Sequence, residues 1–213
     1  QIRAQAEIMN STYLGSGFQF QLLGVDRTTN DTWALEYQPN SAVERTMKTA
    51  LRRGTYATLN HYYLSDLTDS PFGALGICNF PERNLTSNIQ IDDGCVIDSN
   101  TMPGGSNSLY NLGYTSTHET GHWMGIYHVF NRRSCDDGDG IVDTPAQIEP
   151  TYGCPESNGT TTKDSCPLDE GKDSIHNYMD YSDDICLNQF TPDQKAMMRE
   201  IFPIFRAGRD VRN

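Results

Sequence analysis

Short apolar stretches alternate with long polar ones along this chain, and the clearest periods are brief. Residues 1–12 show no usable period and read as irregular. Phe18, Phe20 and Leu22 alternate with Gln19 and Gln21, which is the period of a strand. Asn30-Asp31-Thr32 breaks that pattern, and Trp33 to Tyr37 reads as a short strand or a loop. Ser41 with Glu44 three residues on forms a capping box. Val43, Met47, Ala50 and Leu51 then give a helical stripe that Gly54 ends, and this helix is expected to back a sheet. Leu59 to Leu67 reads as a strand, with His61 a partly buried strand residue because no partner spacing marks it as a ligand. Pro71 to Phe80 is a short apolar run with glycines, either an edge strand lining a cleft or an ordinary core strand. As an edge it offers main-chain groups to an extended peptide, with Leu75 and Gly76 as the substrate contacts. Cys95 to Ile97 is a further short strand, which Cys78 can reach from a neighbour. Pro103 to Ser108 is a loop, and a helix with Thr115 as N-cap follows it.

Past residue 130 the pattern changes. From Asn131 to Ser174 there is little period and much Gly, Pro, Asp, Ser and Thr, so this segment needs staples rather than a core. Cys135, Cys154, Cys166 and Cys186 lie in or beside it and allow three pairings. Each bridge closing a loop of this size stabilises by about 3–4 kcal/mol in the chain-entropy view. Asp136 to Thr144 is acidic and glycine-bearing; it reads as an oxygen-rich calcium loop or as a solvated turn, and no Glu stands where an EF-hand needs one. Thr191-Pro192-Asp193-Gln194 is a strong helix start. The apolar face of that helix is Met197, Met198, Ile201, Phe202, Ile204 and Phe205, with Pro203 expected to end or kink it.

Composition narrows the class. The 213 residues suffice for one domain with a core, or two subdomains around a cleft. With 28 acidic and 16 basic residues, the net charge of −12 leaves no basic footprint for nucleic acid. No run approaches the roughly 20 apolar residues of a membrane span. The expected partners are protein or peptide substrates, with a monomer favoured but not required. Six cysteines without CxxC spacing read as disulfides made in an oxidising compartment. Sequons at Asn10, Asn30, Asn84 and Asn158 agree with a secreted glycoprotein, and the start at Gln1 reads as the mature part of a secreted precursor.

The chemistry concentrates in eleven residues, His118-Glu119-Thr120-Gly121-His122-Trp123-Met124-Gly125-Ile126-Tyr127-His128, which hold three of the five histidines. On a helix, His118 and His122 share one face and both reach a single zinc ion. Glu119 lies beside the first ligand, where a general base for water is wanted. Gly125 permits a left-handed residue that ends the helix and turns the chain so that His128 becomes the third ligand. Three protein ligands leave the fourth position open, as in a catalytic site. Downstream, Asn177-Tyr178-Met179-Asp180-Tyr181 supplies a Met-bearing turn.

The spacing His-Glu-x-x-His-x-x-Gly-x-x-His is that of the metzincin metallopeptidases. The chain resembles their pappalysin-type members, especially secreted fungal and microbial ones. The resemblance runs from about Gly73 to Phe202 and includes Pro103-Gly104-Gly105, Asp143-Thr144-Pro145-Ala146, His176 to Tyr181, Cys186 and Gln189-Phe190-Thr191-Pro192. It implies an α+β fold in one catalytic domain. An N-terminal subdomain (1–128) holds a mixed twisted sheet with a backing helix and an active-site helix. An irregular, disulfide-stapled C-terminal subdomain (129–213) ends in a helix. It also implies the pairs Cys135–Cys166 and Cys154–Cys186, with Cys78–Cys95 as an extra bridge. One catalytic zinc and a structural calcium are implied, the calcium in the segment of Asp137, Asp139, Val142, Asp143 and Thr144.

The resemblance implies a secreted zinc-dependent endopeptidase in which Glu119 acts on the water and Tyr181 donates to the tetrahedral oxyanion; Tyr181 as a core residue is the plainer alternative. Asp183 and Asp184 follow the Met turn where the family walls the pocket after the cut, so Asp184 is expected to favour Lys or Arg there. Two rivals compete. A thermolysin-like site would take Asp139 or Glu149 as third ligand. A non-catalytic zinc-fold binding module would have no use for an intact Glu119.

Overall fold

The computed structural model describes residues 1–65, 67–68, 72–136, 138–155 and 163–211. Helix α1 (Ile2–Thr12) opens the chain where irregular structure is expected. Its buried face is Gln5, Met9 and Thr12, at helical spacing but mostly polar. A count of apolar residues misses such a face because hydrogen bonds hold it. Gln5 Nε2 donates to the Gly113 carbonyl at 2.9 Å, and the Thr12 and Thr117 hydroxyls meet at 3.0 Å. The strand expected over Phe18 to Leu22 does not form: Phe18 and Phe20 pack on the core as irregular chain and Leu22 is exposed. The Asn10 amide substitutes for a strand partner, accepting from Phe20 N at 2.8 Å and donating to Phe20 O at 2.9 Å. At Trp33 a single helical stretch, α2 (Asp31–Leu35), replaces the expected strand or loop, with Asn30 Oδ1 accepting from Trp33 N.

Helix α3 (Ala42–Leu51) is capped by Ser41, as its sequence requires, and ends at Arg52 before Gly54. Its buried side is Glu44, Met47 and Lys48, whereas Ala50 is exposed and Val43 only partly covered. The helix is rotated because Glu44 and Lys48 form a buried ion pair at 2.8 Å. Tyr37 OH and Asn40 N donate to Glu44, and Lys48 Nζ donates to Asn79 Oδ1, so each charge has several partners.

The sheet comprises β1 (His61–Leu64), β2 (Gly76–Cys78) and β3 (Cys95–Asp98), with α4 (Ser87–Asp92) leading into β3. β3 is central and wholly buried; β1 runs parallel to it and β2 antiparallel, in the order β1-β3-β2. β2 is thus one edge, with β1 the other, and Cys78 bridges to Cys95 directly opposite. Alternation sends Val96, Tyr62 and Leu64 toward Met47 of α3, and Cys95 and Ile97 into the core that covers the other face. That core contains Trp123 and Met124 at the end of α5 (Tyr114–Trp123).

Thr115 is not the cap of α5. Gly113, at φ 89°, occupies that place, and the Asp184 carboxylate accepts from Leu112 N at 2.8 Å from far along the chain. After α5 the described chain is mostly turns, with a short 3-10 helix at Asp184–Cys186, until α6 (Pro192–Phe205), and is held by Cys135–Cys166 and Cys154–Cys186. The capping box of Thr191 and Gln194 is formed. α6 continues through Pro203 to Phe205 rather than stopping there; the exposed ring sits near its end. Of its expected apolar face, Met198 is buried and Ile204 is 59% exposed. Among the described residues no helix is long and apolar enough to cross a membrane.

Just past α6, Arg206 is fully buried and joins the two ends of the chain's core. Its guanidinium lies 3.8 Å from the Trp123 ring and bonds both Asp93 oxygens at 3.0 and 3.1 Å. Its Nε donates to the Trp123 carbonyl at 2.8 Å, at the end of α5. Arg206→Met is expected to lower stability by about 3–5 kcal/mol in denaturant unfolding, because Asp93 would stay buried with its main partner gone.

Candidate active site

The three imidazoles converge. Nε2 of His118, His122 and His128 stand 3.0–3.1 Å from one another. His118 Nδ1 donates to the Tyr178 carbonyl at 2.7 Å and His122 Nδ1 to the Ile126 carbonyl at 2.8 Å. With those hydrogens on Nδ1, the Nε2 lone pairs of these two rings face inward and have no proton to share. That is the tautomer a metal ligand needs. Nitrogens around a tetrahedral zinc at about 2.0–2.1 Å stand roughly 3.3–3.4 Å apart, so the donor set fits that ion closely.

Burial holds all three rings neutral. It lowers His122 to about 4 and His128 to about 3, with the neighbouring His122 adding to the effect at His128. His118 lies well below its ordinary value for the same first cause. His61, as expected, is a strand residue outside this trio, bonding Tyr63 OH and Thr120 Oγ1. Asp139 and Glu149 do not replace His128. Asp139 accepts from Ile141 N and the Thr144 hydroxyl, and Glu149 lies near Lys163.

Local geometry explains the convergence. α5 places His118 and His122 one turn apart and ends at Trp123. Gly125, at φ 95°, is the left-handed residue that reverses the chain, and Ile126 N returns to Gly121 O at 2.9 Å. His128 then stacks on Phe130 at 4.8 Å. Met179 is fully buried beneath α5, its sulfur filling the space beside Gly121, and its carbonyl accepts from Val129 N. Asn177 ties this turn to α6: its amide exchanges hydrogen bonds with Gln194 at 2.9 and 3.1 Å.

Glu119 is buried beside the trio, and its Oε2 has no hydrogen-bond partner. Burial raises it to about 8; a nearby dication would draw it back toward ionisation. Its side chain lies on Gly76 of the edge strand, where a Cβ would come within 2.7 Å of Cγ and 2.8 Å of Oε1. Gly76 therefore makes room for the carboxylate, a role that a reading of it as a substrate contact alone misses. Leu75 precedes it, its carbonyl already bonded by Asp98 N. Tyr181 OH stands 3.2 Å from His128 Nε2, and burial foremost raises its phenol to about 12, so it keeps its proton.

Asp184 is 2% exposed, with Oδ2 bonded to Leu112 N and Oδ1 unpartnered; burial raises it to about 6. In the acidic loop, Asp137 lies outside the described residues. Val142 is 94% exposed and Asp143 accepts from Asp193 N. Asp139 Oδ2 is buried without a partner. A cavity of about 250 Å³ is lined by Cys135, Asp136, Gly138, Gly140, Ile141, Val142, Thr144 and Ala146. Among the described residues, no three carboxylates of this loop converge on one point. Of the sequons, Asn84 is exposed, Asn30 caps α2 and Asn158 lies outside the described residues. Asn10 Nδ2 donates to Ala6 O and Phe20 O, so the nitrogen that would carry a glycan is engaged.

A helix with two imidazoles, a glycine turn delivering a third and a methionine turn beneath define a metzincin-type metallopeptidase centre. Comparison with known proteins agrees. Residues 49–203 match the peptidase M43 profile, described as pregnancy-associated plasma protein-A, and the chain belongs to this pappalysin family. It is 50% identical over 208 residues to an extracellular metalloprotease of Pyricularia oryzae, covering 98% of this chain and 69% of that one. It is 47% identical to an extracellular metalloprotease of Arthroderma benhamiae, covering 100% and 68%. Mature mirolysin of Tannerella forsythia in complex with a cleaved peptide superposes with a TM-score of 0.75 at 26% identity, covering 95% and 83%. Mirolysin in complex with compound 9 gives 0.77 at the same identity and the same coverage.

Gly76→Ala is expected to displace Glu119 while leaving the imidazoles in place. Turnover should fall by about 100-fold with zinc content unchanged, read by peptide hydrolysis and metal analysis of one sample.

Proposed function

We propose that this chain is a secreted zinc-dependent endopeptidase that hydrolyses internal peptide bonds with Glu119 as general base. The observation that carries the reading is the inward-facing imidazole trio with a buried, unpartnered carboxylate beside it. His118, His122 and His128 hold the ion, which when bound supplies Lewis-acid polarisation and an acidified water. Glu119 takes a proton from the attacking water and returns it to the departing amine. Tyr181, protonated at neutral pH, donates to the oxyanion. The free edge of β2 pairs with the substrate main chain through Gly76, because the Leu75 carbonyl faces β3 and is taken by Asp98 N. Residues 1–213 act as one catalytic domain, 1–128 supplying the helix and sheet and 129–213 the Met turn. Extracellular naming of the relatives and three disulfides support secretion.

Asp184 is proposed to select Lys or Arg after the cut, a reading supported by its buried and unpartnered Oδ1. A structural calcium is proposed in the acidic loop, supported by the unpartnered Asp139 Oδ2 and the adjoining cavity.

Casein cleavage is expected to vanish with a chelator and to fall by about 10²–10⁴-fold in Glu119→Ala, with zinc retained. A binding module would show no cleavage in the parent protein. His128→Ala should lose zinc, and retention there would restore the thermolysin-like alternative. Because Asp184 titrates near 6, a preference for basic residues after the cut should strengthen as pH rises through 6 and fade below it. Asp184→Asn should remove that dependence in a peptide library; an unchanged profile would remove Asp184 from specificity. Calcium is expected to raise Tm at fixed zinc, and Asp139→Asn should abolish that rise.

A further inference from the structure

An aromatic pair, Phe80 beside His122 and Tyr127 stacked on Phe80, has no part in the chemistry above. The Phe80 ring lies 5.1 Å from the His122 ring and stacks on Tyr127 at 4.8 Å, with planes 25° apart. Tyr127 is 47% exposed, although it sits one residue before a ligand. Its neighbours are fixed: the Ile126 carbonyl accepts from His122, and His128 belongs to the trio. Phe80 is held as firmly. Asn79 N bonds Gly94 O, the Asn79 carbonyl accepts from Arg206, and Glu82 N donates to Tyr56 OH. The pair is therefore a preorganised aromatic surface, half open to solvent, at the C-terminal end of the edge strand.

Position gives the surface its occupant. A peptide running antiparallel along the edge of β2 places the residues before its cut beside Cys78 to Phe80. Resting on the metallopeptidase reading above, we propose that Phe80 and Tyr127 form a specificity subsite for an aromatic side chain within the three residues N-terminal to the cut. A flat ring meets a stacked Tyr–Phe pair at little conformational cost, since neither partner must be ordered first.

The test uses peptides of one fixed sequence after the cut, with Gly, Leu, Arg or Phe at each of the three preceding positions. The parent enzyme should cut the Phe peptide about 3- to 10-fold faster than the Gly peptide, in kcat/KM, at one of these positions. Tyr127→Ala should bring that ratio to about one, Tyr127→Phe should keep it, and selection after the cut should persist in both. The ratio is internal to each variant, so a partly folded sample does not distort it. Dissociation constants of Glu119→Ala for the same peptides should follow the same order without turnover. A flat profile, a preference for Arg over Phe, or a ratio unchanged in Tyr127→Ala would overturn the subsite while leaving the peptidase intact. A parent enzyme that cut no peptide would overturn both.

Discussion

Two backbone carbonyls, those of Tyr178 and Ile126, accept the Nδ1 hydrogens of His118 and His122. The Nε2 atoms of the three rings are packed 3.0–3.1 Å apart, those of His118 and His122 present bare lone pairs that repel each other, and nothing in the helix itself would hold them there. The carbonyls bias each tautomer and rotamer so that the lone pairs stay inward. Each carbonyl comes from a different part of the chain: Ile126 from the turn after α5, Tyr178 from the Met turn. The metal centre therefore depends on the packing of the Met turn against the active-site helix.

That packing is secured from both sides. Beneath α5, Met179 fills the space beside Gly121, and Asn177 locks the turn to the cap of α6 through Gln194. At the far end, Arg206 stacks on Trp123 and is held by five hydrogen bonds to Trp123, Tyr56, Asn79 and Asp93. The long segment between the trio and α6 has little regular structure, so two disulfides carry the constraint that secondary structure supplies elsewhere. Packing also fixes the surroundings of the trio, since Glu119 lies against Gly76 and Tyr181 OH stands 3.2 Å from His128 Nε2.

The catalytic window was legible because its chemistry demands fixed residue types at fixed spacing. His118, Glu119, His122, Gly125 and His128 each stand where their pattern requires, and helix caps at Ser41 and Thr191 were equally direct. The failures share a cause. α1 buries Gln5 and Thr12, α3 turns Glu44 and Lys48 inward, and α5 starts from Gly113 instead of a Thr115 cap, with distant Asp184 holding Leu112 N just before it. In each case a polar group is buried because a specific partner satisfies it, close by for Glu44 and far along the chain for Gln5, Thr12 and Lys48, and periodicity of apolar residues carries no trace of such partners. Phe18 to Leu22 failed in the opposite way: its alternation is real, but Asn10 bonds Phe20 and no strand lies alongside.

The amino-acid sequence by itself determined the spacing of three histidines and a glutamate, the turn that brings in the third imidazole and the family to which the chain belongs. Those are local matters of spacing, side-chain chemistry and one left-handed glycine. Only the tertiary structure decided how Gly76 makes room for Glu119, which carbonyls orient the imidazoles, and that Phe80 and Tyr127 meet beside His122. These contacts join residues up to 60 positions apart, and their existence depends on how whole elements pack.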